Sequence, residues 1–257
     1  MNFTYIPYSE THSFTQLATD YVRQDPKLDS FLQFQPDMEG IKKAVKERGN
    51  YPVDRKLLHE VLKNQYSTLA PHDKVAANLE LLLSENTFTI TTAHQPNLLT
   101  GYLYFIYKIM HAIRLAEELN RSIPDKHFVP VYYMGSEDND IDELGTFRYN
   151  GKRYTWDGAS QRGAVGRMST SSLEPLLADL LKTLGPPGPA CDELSELIRE
   201  AYLRHPTISD ATIYLVHQLF GRYGLLILNP DDRKLKGLFA DIITDELLHE
   251  NSQPLVA

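Results

Sequence analysis

The stretch from Thr87 to Asn120 constrains the fold more than any other part of the chain. "TFTITTA" at 87–93 alternates and is rich in Thr, Phe and Ile, as a β-strand requires. "AHQPNLLTG" at 93–101 is polar and turn-like, and "YLYFIYKIMHAIRLAEELN" after it has helical rhythm. Leu103, Ile106, Met110, Ile113 and the Ala116-Glu117 turn recur at three- to four-residue spacing. They predict a helix over 102–119 that Asn120 closes.

"HFVPVYYMG" at 127–135 reads as a second buried strand, in which Pro130 suggests an edge or a bulge. "FRYNGKRYTWD" at 147–157 centres on Asn150-Gly151, a two-residue hairpin signal. Helices follow at about 171–184, 191–204 and 209–222, with "GPPGP" breaking the first from the second. "GLLILNP" at 224–230 is a third apolar strand, and "DRKLKGLFADIITDELLHE" reads as the helix after it. Upstream, "SFTQLATDYV", "DMEGIKKAVKERGN", "PVDRKLLHEVLKNQY" and "KVAANLELLL" read as helices, the last two with Leu57, Leu58, Val61, Leu62 and Val75, Leu79, Leu82, Leu83 on single faces. The expected fold class is therefore α/β. A helical segment over 1–85 packs on a parallel-sheet core over 86–257 that carries a hairpin insertion.

A length of 257 residues, 42% of them hydrophobic, suits one large α/β domain or two small ones. The formal net charge of −8 disfavours a nucleic-acid partner, which needs clustered Lys and Arg. Cys191 is the only cysteine, so the expectation is a reducing compartment, no intrachain disulfide and an incidental thiol. The N-terminus lacks the basic and apolar regions of a secretory signal, and no apolar run approaches the roughly 18 residues of a membrane span. A cytoplasmic protein with no membrane partner is expected.

Open parallel sheets place ligands beyond the carboxyl ends of their strands. Three polar segments leave such ends here: "AHQPNLLTG", "GSEDNDIDE" and "NPDD". The first feeds a helix N-terminus, where free N–H groups favour an anion. Thr100 could cap that helix, Gly101 would permit close approach, and His94 and Gln95 could donate to the same ligand. The alternative is that His94 and Gln95 satisfy turn carbonyls. Neither G-x-G-x-x-G nor the P-loop pattern occurs, so a dinucleotide dehydrogenase or Walker NTPase is not expected.

The second segment holds five carboxylates in the eight positions 136–143. Asp138, Asp140 and Asp142 mimic a calcium loop, but Glu143 stands at its sixth position and Tyr149 at its twelfth, so an EF-hand fails. What remains suits Mg²⁺, a substrate ammonium or general-base work, or else a solvated acidic loop. Lys108 could reach back to an anion or be a surface lysine. Trp156 reads as packed, and Thr207 and Ser209 as helix-entry residues. Asn229 and Asp231 fit a turn and cap as well as a site.

"PVDRKLLHEVLKNQY", "TTAHQPNLLTGYLYFIYKIMHAIRLAEEL", "VPVYYMGSEDNDIDEL" and "LFGRYGLLILNPDD" together resemble the bacillithiol biosynthesis cysteine-adding enzyme family. The resemblance runs across nearly the whole chain and is weakest around 160–206. It implies a Rossmann-like core, similar to cysteine-activating ligases and class I aminoacyl-tRNA synthetases, followed by a coiled coil that mediates homodimerisation. The implied activity is a ligase that joins cysteine, through its carboxyl group, to the glucosamine amine of glucosaminyl malate. Family members are about twice as long, so the chain is expected to be an N-terminal half with an incomplete site.

Position at the strand ends, taken with this resemblance, makes His94, Gln95, Glu137, Asp138 and Asp140 the expected catalytic residues. The expected substrate-binding residues are Asn97, Thr100, Gly101, Tyr104, Lys108 and Asn229. The metal and the cofactor are left unassigned, with ATP or another nucleotide and Mg²⁺ as one option. The family commonly has Gly-Gln-Gln where His94-Gln95-Pro96 stands, and Glu-Asp-His-Asp where Glu137-Asp138-Asn139-Asp140 stands. The first departure asks whether the turn keeps its shape, and the second removes an imidazole. Two other readings stay open: a non-catalytic ligand-binding or assembly module, and another nucleotidyl-transferring Rossmann enzyme.

Overall fold

Capping side chains decide where the N-terminal helices begin. In the computed structural model, which describes residues 4–256, one compact unit extends to Val53 and a second starts at Asp54. Met1 to Phe3, which open the stretch read above for a secretory signal, lie outside the described residues. The first unit holds α1 (Tyr8–Thr11), α2 (Gln16–Val22), a 3-10 segment (Pro26–Phe31) and α3 (Met38–Arg48). Thr15 accepts the Ala18 N–H and Asp37 the Gly40 N–H, satisfying donors that a helix start leaves free. Glu39 opens α3 and Lys46 and Arg48 close it, in keeping with the helix dipole. Buried Asp20 pairs with Lys27 at 2.5 Å, and that hydrogen bond holds its carboxyl below the usual range.

The second unit begins with α4 (Arg55–Gln65) and α5 (Asp73–Leu81), followed by β1 (Thr87–His94), α6 (Tyr104–Ser122), β2 (His127–Met134) and the single turn α7 (Ile141–Leu144). The hairpin strands β3 (Thr146–Tyr149) and β4 (Lys152–Thr155) come next, then α8 (Glu174–Leu181), α9 (Pro189–Arg204), α10 (Ile208–Phe220) and β5 (Leu226–Leu228). Asn150 and Gly151 both have positive φ, 47° and 77°, as a type I′ hairpin turn requires. Thr207 caps α10 by accepting the Asp210 N–H, and buried Trp156 donates to Ser172 Oγ at 2.8 Å.

The sheet is parallel, in the order β1-β2-β5. Thr87 lies opposite His127 and His94 opposite Met134, so β1 and β2 end level with each other. On one face, Phe105, Ile109 and Ile113 of α6 and Val216 and Phe220 of α10 pack on Tyr132, Met134 and Ile227. On the other, Leu62 of α4, Val75 and Leu79 of α5 and Leu82 just after it cover Val129, Val131 and Leu226. The middle of the sheet is thus covered from both sides, as parallel strands require. A separate core under the hairpin gathers Leu144, Trp156, Leu173, Leu177 and Tyr202.

Several sequence expectations need correction. The buried stripe of α6 is Phe105, Ile109, Ala112, Ile113, Ala116 and Leu119, whereas Leu103 and Met110 are exposed. The helix is apolar over much of its circumference, so the sheet beneath it chooses the face that is buried. Asn120 does not close α6. Its amide bonds both the N–H and the C=O of Phe128, at 2.9 and 2.8 Å, and the helix runs on to Ser122. Pro130 lies in the central strand rather than in an edge or bulge; β5 pairs only Val131 to Tyr133, so at Pro130 β2 has β1 alone as neighbour. The helix after β5 is two pieces, α11 (Arg233–Gly237) and α12 (Ala240–His249). The Leu238 and Phe239 N–H groups bond carbonyls three residues back, next to Gly237, where helical propensity is weakest.

Candidate functional site

Because the strands end in register, the residues that leave them meet. A cleft of about 480 Å³ is lined by Ala93, His94 and Gln95 after β1, by Tyr133, Gly135, Ser136, Glu137 and Asp138 after β2, and by Pro230 after β5. The Gly135 N–H donates to His94 O at 2.8 Å, continuing the β1–β2 pairing by one step. Beneath it the fully buried Tyr132 hydroxyl donates to His94 O at 3.0 Å. Ser136 Oγ donates to Asn229 Oδ1 at 2.7 Å, which ties the β2 exit to the β5 exit.

Of the expected site residues, His94, Gln95, Glu137 and Asp138 line this cleft. Gln95 Nε2 donates to Asp138 Oδ2 at 3.1 Å, and the Asp140 N–H donates to Asp138 Oδ1 at 2.9 Å. Both oxygens of Asp138 are therefore oriented. His94 is buried, stacked on Tyr104 at 5.1 Å and edge-on to Phe105 at 5.3 Å, and neither ring nitrogen has a hydrogen-bond partner among the described residues. Burial first, and the Lys108 charge second, push its pKa below the ordinary value. Its backbone continues β1 and has no positive φ, so no glycine conformation is needed where the family commonly has Gly. Asn139, the other departure, is exposed and does not line the cleft.

The remaining expected residues are placed elsewhere. Asp140 caps α7, accepting the Glu143 N–H at 3.0 Å. Tyr104 backs the His94 ring, and Lys108 Nζ donates to Ala93 O at 2.6 Å. Asn229 is a strut: besides Ser136, its backbone N–H and C=O are both bonded by the Gln65 amide. Thr100 does not cap α6, which has no side-chain cap. Leu99, Thr100 and Gly101 have φ of 52°, 73° and 60°, and this reversal carries Thr100 and Gly101 into a separate apolar cavity of about 370 Å³ with Leu180, Leu197 and Leu215. Two successive left-handed residues other than glycine cost roughly 1–3 kcal/mol each. The fully buried Tyr202 hydroxyl, accepting the Leu99 N–H at 2.8 Å, helps to hold them. Asn97 lies under this turn with both amide atoms buried and without a partner among the described residues, and a Cβ at Gly101 would stand 2.8 Å from its own.

Sequence reasoning missed Arg167. It lies on a 3-10 turn (Val165–Arg167) whose Val165 and Gly166 N–H groups bond Asp138 O at 2.8 Å and Ser136 O at 3.1 Å. Arg167 grips Asp231 with two hydrogen bonds, at 2.5 and 2.6 Å, and Lys236 Nζ bridges Asp231 and Glu137 at 2.5 and 2.6 Å. These contacts, Arg167 first, hold the Asp231 carboxyl far below the usual range. The signal available in the sequence was Gly166-Arg167, too short to read alone. Among the described residues, no group of three or more His, Cys, Asp or Glu is arranged to hold a metal ion. None of their helices is long and apolar enough to cross a membrane.

The sequence profile described as "Bacillithiol biosynthesis BshC, N-terminal Rossmann-like domain" matches residues 1–257. The chain belongs to this family. BshC relatives support the assignment along the whole chain. A protein of Flavobacterium psychrophilum named "Putative cysteine ligase BshC" is 41% identical over 254 residues, covering 98% of this chain and 48% of the relative. A protein of the same name from Christiangramia forsetii is 38% identical over 252 residues, covering 96% and 47%. One from Bacillus cytotoxicus is 27% identical over 250 residues, covering 91% and 46%. The chain thus spans about half the length of the curated BshC relatives it matches. The sheet and flanking helices agree with the Rossmann-like class of the BshC domain.

Burial of His94 makes a pH prediction. His217 is also buried; its Nε2 contacts Ala70 O at 2.7 Å, its Nδ1 has no partner among the described residues, and burial again pushes its pKa down, with His72 adding to the effect. The unfolded chain takes up a proton near pH 6.5 at each ring, while the folded chain resists it. Below that pH the unfolded state binds more protons, so stability is full above about pH 7 and falls as the medium is acidified. The slope is at most about 1.4 kcal/mol per pH unit for each ring. Urea unfolding at pH 7.5 and 5.5 should show this loss, and His94→Gln and His217→Gln should each reduce it; variants with an unchanged slope would contradict the assignment.

Proposed function

We propose that this segment supplies the strand-end wall of the active site of a cysteine ligase, which joins the carboxyl group of cysteine to the amine of glucosaminyl malate as an amide. The observation that carries the reading is the cleft itself: an oriented carboxylate, Asp138, a second carboxylate, Glu137, and a buried imidazole meet at the carboxyl ends of parallel strands in a chain of the BshC family. Amide formation needs an activated carboxylate and a deprotonated amine. Glu137 and Asp138 suit the amine, as ammonium acceptors or as the group that takes its proton. Gln95 fixes Asp138, and His94, kept neutral by burial, can exchange hydrogen bonds without adding charge. No residue of this segment is assigned to a nucleotide or to Mg²⁺. The complete protein acts in the cytoplasm as a homodimer, joined by the coiled coil that the family resemblance implies.

The test is to incubate the full-length protein with cysteine, glucosaminyl malate and candidate nucleotides and to detect the cysteinyl product by mass spectrometry. Product should form with the wild type and fall at least tenfold with His94→Ala or Gln95→Ala, in the range expected when positioned polar groups are removed from a reacting centre. No product with any nucleotide, or variants as active as wild type, would defeat the reading.

A further inference from the structure

Glu137 is held by one oxygen only. Lys236 Nζ donates to its Oε1 at 2.6 Å and Arg167 stands 3.8 Å from the same atom, and among the described residues no hydrogen bond is made to Oε2. The two cations are themselves fixed from behind by Asp231, which accepts two hydrogen bonds from Arg167 and one from Lys236. Asp231 is placed in turn by Asn229 Oδ1, which accepts its N–H at 3.1 Å and the Ser136 hydroxyl at 2.7 Å.

Arg167 is brought there by close backbone docking. A Cβ on Gly166 would stand 2.5 Å from both Ser136 O and Ser209 Oγ, so only glycine lets this turn lie against the β2 exit. Two segments distant in sequence, the 165–167 turn and the run 229–236, thus converge on the side chain of one cleft residue. Two cations face two carboxylates, so the cluster is neutral as a whole and does not turn the cleft into an anion trap. A carboxylate anchored at one oxygen has a fixed position, and its other oxygen is left to accept a charge-assisted hydrogen bond.

We propose that Arg167 and Lys236 are positioning residues that fix Glu137 so that its Oε2 accepts an N–H of a primary ammonium group on the substrate. This deepens the ligase reading and rests on it for the identity of the amine. Cysteine and glucosaminyl malate both carry the required group, and measuring them separately tells them apart.

The experiment is calorimetric titration of the full-length protein with cysteine, with glucosaminyl malate and with N-acetylcysteine, which lacks the ammonium, alongside KM and kcat for product formation. Lys236→Met and Glu137→Gln should each weaken one of the two amines by about tenfold, the scale of one hydrogen bond to a charged group. The same change should appear in KM more than in kcat. Lys236→Arg should restore affinity to within about threefold, because a cation again reaches Oε1. The double variant should bind no more weakly than Glu137→Gln alone, since Lys236 acts through Glu137. Binding of N-acetylcysteine should not change. Arg167→Gln gives a second route to the same readout if Lys236→Met fails to fold.

Multiplying effects in the double variant, an equal loss for N-acetylcysteine, or a lower Tm with unchanged affinities would overturn the proposal. So would a wild type that binds neither amine. Amine binding that follows the expected pattern without any amide product would overturn the ligase reading and leave the positioning role standing.

Discussion

Asp138→Asn in the full-length protein is expected to lower the rate of cysteinyl product formation by about 10²–10⁴-fold, the range for loss of a positioned acid–base group. The substitution preserves volume, so the cleft keeps its walls. It removes the negative charge and puts an NH₂ where an oxygen was. Asp138 now accepts the Asp140 N–H on one oxygen and the Gln95 amide on the other. An asparagine can accept on one side only, so a donor is left facing a donor on the other. Gln95→Ala keeps the charge and removes only the orienting hydrogen bond, so its effect should be the smaller of the two. Steady-state rates at saturating substrates check the ordering. An Asp138→Asn protein within threefold of wild type would place the chemistry elsewhere.

The second large effect is structural. Gly166→Val should destabilise the chain by about 3 kcal/mol, combining overpacking of roughly 1–3 kcal/mol with weakened backbone hydrogen bonds of about 1 kcal/mol each. The first added atom would meet Ser136 O, Ser209 Oγ and Ser136 Cβ at 2.5, 2.5 and 2.8 Å. A backbone carbonyl at a strand exit has little room to retreat, so the turn itself must lift. The Gly166 and Val165 N–H bonds to Ser136 and Asp138 then lengthen, and Arg167 is displaced from Asp231. For a chain of this size the Tm should fall by roughly 6–12 °C. A surface comparison is Gly151→Ala at the hairpin tip, where nothing lies within 4 Å of the new Cβ and only backbone strain at φ +77° is added. If Gly166→Val melted no lower than Gly151→Ala, the close docking of this turn would be refuted.

Local features were legible because they are enforced locally. The alternation of 87–93, the Asn150-Gly151 turn, the Thr207 cap and the packed Trp156 each follow from the chemistry of a few neighbouring residues. Helix phase was less legible. In α6 an apolar residue stands at almost every candidate position, and only the sheet beneath could select Phe105 and Ile109 over Leu103 and Met110. The break between α11 and α12 turned on one weak helix former, Gly237, inside an otherwise helical run.

The sequence by itself determined the order of strands and helices, the parallel α/β class and the three polar segments that leave the strand ends, because period and turn chemistry act over a few residues. It also contained the family likeness. Only the tertiary structure decided which polar residues share a cleft. Equal strand ends bring His94, Gln95, Glu137 and Asp138 together. The positive-φ reversal at Leu99 and Thr100, conformations those residues do not prefer, turns Thr100 and Gly101 away into an apolar cavity. Arg167, Asp231 and Lys236 gather around Glu137 because Gly166 lets one backbone lie against another, a contact between segments that no local pattern encodes.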